Sequence, residues 1–264
     1  MPTTPTLYLP GTSYLHRLHP LSKLVFSLAS AVIIFGGPGG WVSAFFPGLF
    51  AMLLLWRAGL VGEVTRTILR LLTPFAVVLF LIHGFVNPQN QTILLRLGPV
   101  ALGQEGLNFA SLIVIRLTAA LTASLLLMVS THPSDLIQSL VEIGLPHRLA
   151  YLLGSPLLML PQMVARVQVI QSVQQARGLE TQGNFFQRVR ALFPLVAPLV
   201  FSVLVDVEDR SLALEVRGFN APNQKTSLTE LVDTREQRAA RWIMIVLAGF
   251  LLIAGIGWRM HGGH

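Results

Sequence analysis

The chain has 264 residues, 53% of them hydrophobic and only 12% charged, with a mean hydropathy of +0.64. Too few charges are present to coat a soluble globule of this size, so composition points to an integral membrane protein. Cysteine is absent, which excludes disulfides, thiolate metal centres and thiol nucleophiles. The formal charge of +7 fits cytoplasmic loops near anionic lipid or acidic protein better than nucleic acid, because no basic tract is interleaved with aromatics.

Residues 1–20, rich in Pro, Thr and Gly, read as an irregular lead-in, and Met1 to Thr12 lacks the basic start of a signal peptide. Leu24 to Phe35, with Leu21 to Lys23 ahead of it, supplies a first membrane helix that Gly36-Gly37-Pro38-Gly39-Gly40 stops. That cluster is long enough only for a tight turn, so Trp41 to Trp56 returns antiparallel as a second span. Both spans fall short of the usual ~20 residues. An amphipathic connection carrying Glu63, Arg66 and Arg70 leads to a third span, Leu71 to Val86, which Asn87-Pro88-Gln89-Asn90-Gln91 ends. Residues 92–108 read as a mostly polar external loop that folds back at the interface. Phe109 to Ser130 is the fourth span, and at 1.5 Å per residue it reaches about 33 Å.

Beyond Thr131-His132-Pro133 charges return, and apolar residues take helical spacing. A short helix starts at Ser134-Asp135, with either residue as N-cap, and ends at Gly144-Leu145-Pro146. A second runs from His147 to Arg177, with kinks expected at Pro156 and Pro161, and Gly178 ends it. A third runs from Phe185 past Pro194 and Pro198 to Arg217. Its apolar stretch, Ala191 to Val205, is at the low end of length for crossing and is followed by a dense charge group, which favours an interfacial or protein-buried helix over a full span. Residues 220–238 read as a polar linker or small surface helix. Trp242 to Trp258 is the last span, and Arg259 to His264 a short tail.

The architecture read from these signals is an all-α membrane protein of about five spans with a helical insertion between the fourth and fifth. Residues 1–131 hold the lead-in and spans one to four, 132–240 the insertion, and 241–264 the last span and tail. With the N-terminus inside, sixteen of the nineteen lysines and arginines fall on the cytoplasmic side, the arrangement favoured by the positive-inside rule. The insertion is then cytoplasmic.

Within the insertion, Ala176-Arg177-Gly178 and Val216-Arg217-Gly218 repeat one ending forty positions apart. Val167, Ile170, Val173 and Gln174 form a packing stripe ahead of the first, and Phe201, Leu204, Val207, Ser211 and Leu214 ahead of the second. Taken singly, each Arg-Gly is an ordinary helix C-cap: glycine turns the chain and arginine complements the helix dipole. As a pair on consecutive helices, they present two guanidinium groups suited to acidic clefts on two partner surfaces.

These residues resemble the transmembrane coupling (T) component, EcfT/CbiQ-like, of energy-coupling factor ABC-type uptake transporters. Ala176-Arg177-Gly178 matches the family's Ala-Arg-Gly motif, and Val216-Arg217-Gly218 matches with Val in place of the more usual Ala. Gly144-Leu145-Pro146, and His19-Pro20 with Lys23, resemble further family features. The resemblance implies a non-catalytic subunit of a vitamin or transition-metal-ion importer in the cell membrane. Two cytoplasmic ATPase subunits would hydrolyse ATP, the two helices would dock on them through Arg177 and Arg217, and motion would pass to a separate substrate-binding S component in the membrane. No cofactor, metal site or nucleic-acid partner is implied.

Arg116, within the fourth span near its start, lines a pathway or snorkels. Ala119, Ala120, Ala123 and Ser124 suggest a close helix face, toward the S component or toward this chain's own helices. His83 and His132 have no second ligand at metal spacing. The competing reading is a self-contained secondary transporter or channel, which needs paired intramembrane charges or inverted repeats; Arg116 has no evident carboxylate partner in any span.

Overall fold

The computed structural model describes residue 11 and residues 13–86, 92–97, 100–179, 185–221 and 233–260. Most of the lead-in, the stop at residues 87–91, Gly98-Pro99, most of the 220–238 linker and the end of the tail lie outside them. The elements are α1 (Tyr14–Arg17), α2 (Pro20–Gly36), α3 (Trp41–Arg57), α4 (Val61–Val86), β1 (Ile93–Leu97), β2 (Val100–Gly103), α5 (Gln104–Ser130), α6 (Pro133–Glu142), α7 (His147–Ala176), α8 (Phe185–Val216) and α9 (Arg235–Met260). They fall into two units: residues 1–145 with 231–264, and residues 146–230.

Among the described helices, α4, α5, α7 and α9 are long and apolar enough to cross a membrane, and α2 and α3 are shorter apolar helices. The helix expected as the third span starts earlier than the apolar run alone suggests. The amphipathic stretch with Glu63, Arg66 and Arg70 continues into it as one helix, because Pro74 inside α4 does not end the helix. α5 likewise starts at Gln104, five residues before the expected Phe109, which places Arg116 nearer the helix middle. The expected external loop holds a two-stranded antiparallel hairpin, with Leu97 opposite Val100 and Arg96 opposite Ala101. Glu105 ties its base: the Thr92 amide and hydroxyl donate to Oε1 at 3.1 and 2.8 Å.

Lipid tails are as apolar as leucine, so close packing and hydrogen bonds, rather than escape from water, hold membrane helices together. The first unit shows both. Leu55 of α3, Val64 of α4 and Leu126 of α5 are almost fully buried in one cluster. Ala44 of α3 and Ala119 of α5 pack with Ile34 of α2 in a second, so the small-residue face around Ala119 and Ala123 is used within the chain. Where α2 meets α9 a side chain at Gly255 would run into the carbonyl of Gly36. The two backbones touch there.

A polar clasp gathers one end of the same unit. His19 caps α2, its Nδ1 accepting from the Leu21 amide at 3.3 Å, while its Nε2 meets Glu142 Oε2 of α6 at 3.1 Å. An accepting Nδ1 places the ring proton on Nε2, facing the carboxylate. Thr234 begins α9 by accepting from the Gln237 amide at 3.3 Å. The Gln237 side chain does not fold back to close a capping box; its Oε1 accepts from the His19 amide at 3.1 Å. Lys23, 3% exposed, donates to the Ser130 carbonyl at 2.8 Å, tying α2 to the end of α5. The N-cap of α6 is His132, whose side chain accepts from the Ser134 amide, instead of Ser134 or Asp135. Pro133 at the first helical position moves the start of the helix forward by one residue.

Asp233 completes the clasp, accepting from Arg241 at 2.6 Å and from Arg238 at 3.3 Å, while Arg241 also donates to the Ser22 hydroxyl at 3.4 Å. The Arg241 hydrogen bond, against an opposing effect of burial, holds the Asp233 carboxyl below its usual 3.8, with His19 and Arg238 helping.

Two outcomes follow from these contacts. Gly255→Val forces α9 away from α2 and is expected to lower the stability of the purified protein by about 1–3 kcal/mol. Gly249→Ala, with open space around it, does not lower the melting temperature in the same assay, since alanine is the better helix former. The depressed Asp233 value means that its contribution is whole above 3.8 and is lost as pH falls through the lower folded value. Acid unfolding of Asp233→Asn is expected to lack that part of the profile, which a pH series of melting temperatures would read.

Candidate functional site

The second unit is a helix pair, α7 and α8, and the contacts show how it is arranged. Tyr151 stacks near Phe219 with ring centroids 5.2 Å apart. Arg210 donates to Gln162 at 3.3 Å, Arg166 to the Ser202 carbonyl at 3.1 Å and to Asp206 Oδ1 at 2.9 Å, and Gln174 to the Pro194 carbonyl at 3.4 Å. Each step up one helix is a step down the other. The pair is antiparallel, and its two C-terminal ends lie at opposite ends of it.

The expected packing stripes face this contact only in part, through Ile170, Gln174 and Leu214, which are half-buried. Val167 and Val173 are 37% and 47% exposed, and Phe201, Leu204 and Val207 between 55% and 69%. Half-buried with Ile170, Gln174 and Leu214 are positions outside the stripes, among them Met163 and Arg166 on α7, and Ser202, Val203, Asp206 and Arg210 on α8. Apolar residues surround both helices, so periodicity alone could not fix the inward face. What fixes it is that Arg166 and Asp206 meet each other, at 2.7 Å to the second carboxylate oxygen. The Arg166 hydrogen bond lowers the Asp206 value, opposed by burial and helped by the charges of Arg166 and Arg210.

Pro156 and Pro161 lie inside α7, and Pro194 and Pro198 inside α8, with each helix unbroken. Each then ends in the same way. The Gly178 amide donates to the Gln175 carbonyl at 2.9 Å and the Leu179 amide to Gln174 at 3.0 Å. Forty residues later, the Gly218 amide donates to Glu215 and the Phe219 amide to Leu214, both at 2.9 Å. These are the two bonds of a Schellman closure, with glycine in the left-handed region at φ 92° and 67°. Any other residue there would be strained.

The closure alone does not make a site, because α3 and α6 finish with the same bonds at Gly59 and Gly144. The distinction is at the capping residue. α3 has Ala58 there and α6 has Ile143, whereas α7 and α8 have Arg177 and Arg217. Both arginines are exposed, as are Ala176 and Val216 beside them, the latter 88% exposed. Among the described residues, neither guanidinium meets a carboxylate. A cap donates through its backbone, so the closure itself uses none of the five N–H donors of either guanidinium.

Arg116 is half-buried on α5, and His83 lies beside Phe109 with ring centroids 5.1 Å apart. Among the described residues, no three His, Asp or Glu side chains gather in a way that could hold a metal ion. Sequence reading missed the Arg166–Asp206 and His19–Glu142 pairs. For the first there was one signal, the shared offset of forty residues. For the second there was none, since the partners are 123 residues apart.

Residues 11–228 match a family model described as CbiQ, cobalt transport protein. The chain is 30% identical over 263 residues to a protein of Brevibacillus brevis named energy-coupling factor transporter transmembrane protein EcfT, covering 95% of this chain and 96% of that one. Proteins of the same name from Thermosediminibacter oceani and Bacillus subtilis are each 28% identical, over 94% and 92% of this chain and 95% of each relative. The family model and similarity over more than nine-tenths of the chain agree with the long apolar helices: the chain belongs to the CbiQ/EcfT family of transmembrane T components of energy-coupling factor transporters.

Proposed function

We propose that this T component couples ATP hydrolysis in two cytoplasmic ATPase subunits to the movement of a membrane-embedded S component that carries a micronutrient, either a vitamin or a transition-metal ion. The observation that carries the reading is the pair of exposed arginine caps, Arg177 and Arg217, on matching closures at opposite ends of one antiparallel helix pair. An arginine held at a closed helix end projects a planar, permanently charged fork whose backbone cannot follow it into a partner. It suits an acidic cleft. Ala176 and Val216 offer apolar shoulders, and Gly178 and Gly218 turn the chain clear of the contact.

In this reading the N-terminus and the insertion face the cytoplasm, in keeping with the excess of basic residues there. The chain supplies no catalytic group. Closing the two ATPases on ATP displaces both arginine ends, the helix pair moves as a unit, and the S component leaning on its apolar outer faces is reoriented. Leu152, Leu158, Phe193 and Phe201 are more than half exposed on those faces, which favours cover by lipid or by a membrane partner.

Arg177→Ala or Arg217→Glu is expected to lower uptake while the protein still folds and reaches the membrane. Truncating a docked arginine of this kind costs about 2–5 kcal/mol, much of it from the acidic partner left unpaired. A variant carrying both Arg177→Glu and Arg217→Glu should lose the ATPase subunits on copurification. ATPase subunits retained at normal stoichiometry, together with normal uptake, would exclude the coupling role and favour a self-contained transporter.

A further inference from the structure

Arg177 and Arg217 are forty positions apart, and so are Gly178 and Gly218. Arg166 and Asp206, which face each other across the pair, are also separated by forty. In an antiparallel pair related by an approximate two-fold axis, only a residue on the axis meets its own equivalent. Under the offset that superimposes the two helix ends, the equivalent of Arg166 is Asp206. The axis therefore passes through this ion pair.

The distances to the ends follow. From the ion pair to each arginine cap is eleven residues, about 16 Å at 1.5 Å per residue. The two caps are then about 33 Å apart along the pair, with the ion pair midway. Its neighbours add to the same grip: Arg166 also holds the Ser202 carbonyl at 3.1 Å, and Arg210 holds Gln162 one turn away at 3.3 Å. Met163, Ile170 and Val203 beside them are apolar and half-buried and set no register through hydrogen bonds of their side chains, and Gln174 adds one weaker bond to the Pro194 carbonyl at 3.4 Å. A guanidinium that holds the Asp206 carboxylate through Nη2 and the Ser202 carbonyl through Nη1 sets a single register.

We infer that Arg166 and Asp206 are the fulcrum of the helix pair, positioning residues that fix the register of α7 on α8 so that displacement of one arginine cap is returned at the other. This rests on the coupling role proposed for Arg177 and Arg217. Without the pair, each cap still fits its cleft but moves alone, and ATP is hydrolysed with little transport.

The chain has no cysteine, so Gln175→Cys with Glu215→Cys, both at exposed positions two residues before the caps, takes spin labels without background. The label-to-label distance is measured in the complete transporter in lipid nanodiscs, along with ATP hydrolysis and uptake, for Arg166→Asp, Asp206→Arg and the variant carrying both. Each single reversal is expected to broaden the distance distribution and to lower substrate imported per ATP by about ten-fold, the size of a lost coupling between paired residues. ATPase subunits should still copurify. The exchanged pair restores both the narrow distribution and the transport ratio, which a general loss of stability would not do. If a reversal fails to reach the membrane, Arg166→Met and Asp206→Asn are measured for the same broadening. Unchanged distances and transport ratios in the single variants overturn the fulcrum, as does an exchanged pair no better than its parents. Failure of the coupling role itself is read separately, by ATPases that remain bound when both caps are reversed.

Discussion

A helix leaves its last carbonyls and its first amides without partners inside the helix, and in a chain this apolar each of those groups has to be answered locally. The described helices meet that constraint in a few repeated ways. α3, α6, α7 and α8 close on glycine with the same two backbone bonds, and α2 and α6 begin on a histidine that accepts from an amide two residues on. Because the backbone closes itself, side chains at these ends are released for longer-range contacts. At α6 the released side chain is Glu142, which reaches His19; at α7 and α8 it is an arginine directed outward.

The first unit shows what such released groups do when they are turned inward. Lipid gives helices no reason to associate through their apolar faces, yet α2 is joined to α5 through Lys23, to α6 through His19, and to α9 through both Gln237 and Arg241. These contacts sit where the helices begin or end. Elsewhere the helices rely on small residues, with Gly36 of α2 against Gly255 of α9 and Gly48 of α3 against Ala119 of α5. Polar groups fix where the helices meet, and missing side chains fix how closely.

Much of this was legible in the sequence for physical reasons. Membrane character followed from the shortage of charge, and helix ends followed from Gly144, Gly178 and Gly218, because few residues tolerate the left-handed turn. Starts were harder to place. α4 begins at Val61 and α5 at Gln104 because polar residues such as Glu63 and Glu105 are accepted in a first turn, where a hydropathy reading counts them as loop. The paired strands Ile93–Leu97 and Val100–Gly103 were hidden because runs of five and four residues between turn residues are too short to show a period. The inward faces of α7 and α8 were read only in part, at Ile170, Gln174 and Leu214, for a different reason. Apolar residues on every side of a helix leave its phase undetermined, and here a charged pair sets it.

The forty-residue offset has one more consequence. Any residue on a two-fold axis confronts a copy of itself, and two like charges confronting one another at 2.7 Å would repel. A helix pair pinned on its axis by opposite charges therefore cannot be symmetric, however alike its ends look. One arm is marked by Arg166, Ala176 and Leu179 and the other by Asp206, Val216 and Phe219. The subunit has a left and a right hand, and two identical sockets would still be filled by unequal plugs.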